Sequence, residues 1–122
     1  MAKAFGELFK GYRVASTQTL RNFCVEHGFD PGNISKLERG IMPPPQSEAK
    51  LRQYAEALKL PAGSEEFREF VDLGLSCAGQ IPSDIMADED LVRKLPVLLR
   101  TVSGKKLSAK ELDRLVEEIR RA

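Results

Sequence analysis

Tryptophan is absent from this 122-residue chain, histidine occurs once and cysteine twice. A single histidine, His27, and two widely separated cysteines, Cys24 and Cys77, leave no local metal-ligand spacing and no CxxC pair. Both thiols are therefore expected to be reduced. Long apolar runs are also lacking: none approaches the ~20 residues that span a bilayer. The opening MAKAFGELFKGYR has no apolar core and no small-residue cleavage pattern, so a cytoplasmic protein without membrane attachment is expected. Missing too are a nucleophile elbow, a phosphate loop and a metal-binding motif. The acidic groups Asp88-Glu89-Asp90 and Glu117-Glu118 fit helix-dipole and solubility roles. Neither an enzyme nor a bound cofactor is expected. No β-alternation or internal repeat occurs, and the chain reads as all-α.

What is present is a series of capped amphipathic helices. Phe5, Leu8, Phe9 and Tyr12 recur at i, i+3, i+4 and i+7. Ala15–Gln18 is a polar connection, and Thr19 caps a second helix. Ile41-Met42-Pro43-Pro44-Pro45 forms a stiff extended loop. Ser47 caps a fourth helix with Leu51, Tyr54, Ala55 and Leu58 inward. Ser64 caps a fifth with Phe67, Phe70, Val71 and Leu75 inward, and Gly79 stops it. These define a first domain over residues 1–79, with 80–87 as a linker and 88–122 as a separate segment. In that segment Leu91, Val92, Leu95, Leu98, Leu99 and Val102 form one stripe, with Pro96 expected to kink or restart the helix. Ser103-Gly104-Lys105-Lys106 reads as a turn. A capping box, Ser108 with Glu111, starts a last helix striped by Leu112, Leu115, Val116 and Ile119.

Thr19–Gly40, TLRNFCVEHGFDPGNISKLERG, carries the functional information. Leu20, Phe23 and Cys24 give one core-facing stripe, and Ile34 and Leu37 give another. Gly28 tolerates a positive φ after the first of these helices. Asp30 can cap the second, Pro31 fits its first turn, and Gly40 ends it near Arg39. Two short helices joined by a tight turn are the layout that places a second helix in the DNA major groove. His27 continues the first stripe and reads as a half-buried packing residue. Charge agrees: residues 1–60 hold nine Lys/Arg against six Asp/Glu, and residues 61–122 hold ten against twelve. The positive excess lies with the paired helices, as phosphate binding requires.

These residues resemble the XRE, or lambda-repressor/Cro-like, helix-turn-helix family. Phe5–Leu60 is similar to its five-helix domain, and ISKLERG at Ile34–Gly40 is the most specific piece. The resemblance implies an ion pair between Arg13 and Glu38 that orients the recognition helix. It places Pro31, Gly32, Asn33 and Lys36 at base-reading positions. Asn33 suits adenine and Lys36 suits guanine acceptors. Pro31 and Gly32 depart from the polar residues common there, which leaves more of the recognition to DNA shape. Arg21, Arg39 and Ser35 are phosphate candidates.

The apolar residues of the last third, Leu91, Leu95, Leu98, Leu99, Leu112, Leu115, Val116 and Ile119, either fold back on the fifth helix or meet a symmetry mate. The second option makes them a dimerisation surface. The expected function is then a dimeric transcriptional repressor on a palindromic double-stranded DNA operator. Ile81–Thr101 is also similar to repressors encoded with ImmA/IrrE-type metallopeptidases, which implies inactivation by cleavage of the C-terminal segment. Two other classes stay open. One is an antitoxin that neutralises a toxin through its C-terminal helices. The other is an adaptor that keeps the fold without binding DNA.

Overall fold

The computed structural model describes residues 2–122, and among these every regular element is a helix. The order is α1 (Ala2–Ala15), α2 (Leu20–His27), α3 (Pro31–Glu38), α4 (Glu48–Ala57), α5 (Glu65–Cys77), α6 (Ser83–Met86), α7 (Glu89–Lys105) and α8 (Ala109–Arg121). The chain divides after Pro82 into two compact units.

In the first unit local chemistry sets the helix ends. Thr19, Asp30, Ser47 and Ser64 each accept a hydrogen bond from the backbone N–H three residues on, satisfying a donor that the helix itself cannot. Pro31 opens α3, where its missing N–H costs nothing. Gly28 follows α2 at φ 73°, the left-handed conformation that turns the chain toward α3.

The core of this unit is aromatic. Phe5, Phe9, Phe23 and Phe70 are fully buried, each contributing about 1.5–3 kcal/mol through removal from water. Phe9 meets Phe23 and Tyr54 edge-on, with ring centroids 5.7 and 5.4 Å apart, a geometry that the ring quadrupoles favour. Ile34, Leu37, Leu51 and Leu75 fill the space around the rings. α1 packs on α3 and α5, α4 on α5, and α2 on α3. Cys24 lies within this core at 1% exposure, and burial pushes its thiol pKa up.

The second unit differs from the sequence expectation at the 80–87 stretch and at the end of α7. Residues 80–87, expected as a linker, contain the short helix α6, which packs on α7 and belongs to the second compact unit. α7 runs through Pro96 without restarting. It also continues through Ser103 and Gly104, and the reversal comes at Lys106 with φ 51°. One glycine in an exposed last turn costs about 1 kcal/mol, too little to end a helix that is otherwise well formed. α8 begins with the expected reciprocal bonds between Ser108 and Glu111. No residue of α6, α7 or α8 is buried. No described helix is long and apolar enough to cross a membrane.

Candidate nucleic-acid interface

The surface around α3 is built from a helix with two opposite faces. Ile34 and Leu37 are 1% and 0% exposed and anchor one face in the core. Pro31, Gly32, Asn33 and Lys36 are all exposed, and Asn33 and Lys36 stand one turn apart on the outer side. No segment of the first unit covers them. Ser35 is half-buried. Arg39 is exposed, with its Nε donating to the Ser35 carbonyl at 3.2 Å. Arg21 is exposed on the first turn of α2.

Electrostatics separate the helix ends. Asp30 accepts from the Asn33 N–H at 3.0 Å, so a carboxylate already occupies the N-terminus of α3. Pro31 removes one further donor there. A phosphate would meet repulsion at that end, and Arg21, Lys36 and Arg39 are exposed cations elsewhere on the surface. The N-terminus of α2 is capped by the neutral Thr19, and its partial positive charge stays available beside Arg21.

A buried ion pair holds α3 to α1. The Arg13 Nε and Nη2 donate to the two Glu38 carboxylate oxygens at 2.7 and 2.9 Å, and Nη1 donates to the Gln18 carbonyl at 2.8 Å. The side chains are 9% and 5% exposed. The fork geometry of guanidinium matches the carboxylate, and the hydrogen bond to Glu38 raises the Arg13 pKa against the opposing effect of burial. The pair therefore ties the end of α1, the α1–α2 connection at Gln18 and the end of α3 into one rigid corner.

Sequence reasoning missed a second clamp between the same helices. A Cβ at Gly6 would lie 2.4 Å from the Leu37 carbonyl oxygen and 2.6 Å from that of Glu38. A Cβ at Gly40 would lie 2.8 Å from the Lys3 Cα. α1 thus crosses the end of α3 at backbone contact, and glycine on both sides makes the crossing possible. The signal in the sequence was a glycine beside Phe5 on the buried side of an amphipathic helix, where glycine is otherwise a weak choice.

His27 is half-buried, with its ring against Phe23 and Phe29 at centroid distances of 5.0 and 6.0 Å. Its Nε2 is buried without a hydrogen-bond partner. Among the described residues no group of three or more His, Cys, Asp or Glu side chains converges on a common point. Lys50 sets its ammonium over the Phe29 and Tyr54 rings at 5.0 and 5.1 Å, bracing the α2–α3 turn against α4.

The C-terminal residues form a separate surface. Leu91, Leu98, Leu99, Leu112, Val116 and Ile119 are exposed by 39–64%, while Leu95 and Leu115 are half-buried. The apolar stripes on α7 and α8 are covered only in part, and no residue of either helix is fully buried. Comparison of the chain with family models, with curated proteins and with solved structures returns no match.

Proposed function

We propose that the chain is a double-stranded DNA-binding transcriptional regulator of the XRE type, with α3 entering the major groove. One observation carries this: α3 is anchored by Ile34 and Leu37 and locked by Arg13–Glu38, yet presents Asn33 and Lys36 outward without cover. A helix held that rigidly, with two base-compatible side chains one turn apart, suits direct readout. Arg21 and Arg39 flank it as phosphate contacts, with Ser35 a lesser one. Gly32 leaves the groove-facing start of the helix open to close backbone approach.

The protein acts as a dimeric repressor on a palindromic operator. Support comes from α7 and α8, whose apolar stripes include no fully buried residue. An isolated 13-residue helix is marginal in water, so α8 calls for a partner surface. A symmetry mate would place the two α3 helices one helical turn of DNA apart, about 34 Å. Cleavage of the segment by an ImmA/IrrE-type peptidase would then separate the dimer and relieve repression. The same bare stripes equally suit an antitoxin that holds a toxin protein, which is the second reading.

The test is fluorescence anisotropy with a labelled duplex of the chain's own upstream DNA, titrated at low and moderate salt. Binding that weakens steeply with salt, and further on Lys36→Ala, supports the regulator. No binding by the parent protein at low salt, where phosphate attraction is strongest, rules it out.

A further inference from the structure

We propose that Lys3, on the first turn of α1, is a phosphate-contacting residue of the same DNA-facing surface; this rests on the α3 reading above. The crossing of α1 over α3 fixes where Lys3 stands. A Cβ at Gly40 would lie 2.8 Å from the Lys3 Cα and 3.1 Å from its Cβ, so the Lys3 backbone touches the residue that follows Arg39. One turn along the same face, Gly6 meets the Leu37 and Glu38 carbonyls. Further along that face Arg13 holds Glu38. Three tethers on one side of α1 set both the position and the direction of its first turn.

Lys3 is exposed, and among the described residues it carries no ion pair. The acids nearby do not neutralise it. Glu38 has both oxygens engaged by Arg13, and Glu7, one turn on along α1, makes no ion pair with it. The Arg39 guanidinium folds back onto the Ser35 carbonyl. The C-terminal end of α3 is thus bordered by two cations from two different helices, while its N-terminal end carries the Asp30 carboxylate. A lysine is a compact point charge on a flexible stem, suited to a phosphate oxygen rather than to a base edge.

The experiment is a salt titration of the full chain on a labelled duplex of mixed sequence and on its preferred site. Lys3→Ala is expected to lower the slope of log affinity against log salt by about 1 per bound protomer, about 2 for a dimer. It is expected to weaken both duplexes by the same factor, and Lys3→Arg should keep the parent slope. A Lys3→Ala protein with the parent's helical circular dichroism and an unchanged slope would overturn the assignment, while loss of affinity in Lys36→Ala alongside it would leave the α3 reading standing. Weakening confined to the preferred site would overturn it too, because a phosphate contact carries no sequence preference. Failure of the parent protein to bind either duplex at low salt would sink both.

Discussion

Glu38→Gln keeps the shape of a buried side chain and removes its charge, which makes it the sharpest probe of the α1–α3 corner. The Arg13 guanidinium would remain at 9% side-chain exposure with no counter-ion. An amide oxygen can accept one of the two N–H groups now bound to the carboxylate, so one charge-assisted bond is lost, worth about 1.5–3 kcal/mol. With the uncompensated charge added, the whole cost falls at about 3–5 kcal/mol. That is a large part of the roughly 5–15 kcal/mol that holds a domain together. Intrinsic fluorescence reports this unit alone, because the chain has no tryptophan and its two tyrosines are Tyr12 and Tyr54. Urea unfolding followed at the tyrosine signal should therefore move to a much lower midpoint. The double variant Arg13→Met with Glu38→Leu should regain most of the loss, since a packed apolar pair leaves no buried charge. Single-variant losses below about 0.5 kcal/mol, the size found for exposed pairs, would refute the reasoning.

Gly6→Ala should destabilise the first unit by about 1–3 kcal/mol, because the new methyl meets carbonyl oxygens that cannot move aside. Gly11→Ala in the same helix, with nothing within 4 Å of the new Cβ, should stabilise it by about 0.5–1 kcal/mol, and unfolding midpoints compare the two. Burial raises the pKa of Cys24, Tyr12 and Tyr54. Their folded forms hold protons that the unfolded chain releases first, so stability is full below the unfolded thiol pKa of about 8.5 and falls as pH rises above it. Unfolding midpoints at neutral and alkaline pH check the sign, and Cys24→Ala should remove part of the slope. Leu115→Glu combined with Val116→Glu should convert a dimer to a monomer in sedimentation. The same variant should cost about 10²-fold or more in operator affinity through lost avidity.

Helix starts were legible because they are local. Thr19, Asp30, Ser47, Ser64 and Ser108 each bond an amide three residues on. The core stripes followed from spacing for the same reason. The helix end at Ser103–Lys106 was misplaced because the cost of one glycine competes with the whole helix rather than with its neighbours. α6 escaped because four residues carry no periodicity. The corner of the candidate site was half visible. Arg13 and Glu38 stood out through resemblance, whereas Gly6, Gly40 and Lys3 meet only after the chain has folded. The carboxylate at the head of α3 was legible as a cap, but its effect on phosphates needed the exposed geometry. The apolar stripes of α7 and α8 were legible by their spacing, whereas spacing within one chain does not encode a surface that would cover them.

Selection of binding sites from a randomised duplex pool tests the central claim most directly, run in parallel with the parent protein and with Lys36→Ala. The parent should enrich one twofold-symmetric sequence whose half-sites lie about one helical turn apart. The variant should lose preference at one base pair per half-site while keeping the rest, a relaxation of about 1–3 kcal/mol. An unenriched pool, or the same base preference from both proteins, would contradict α3 as the element that reads DNA.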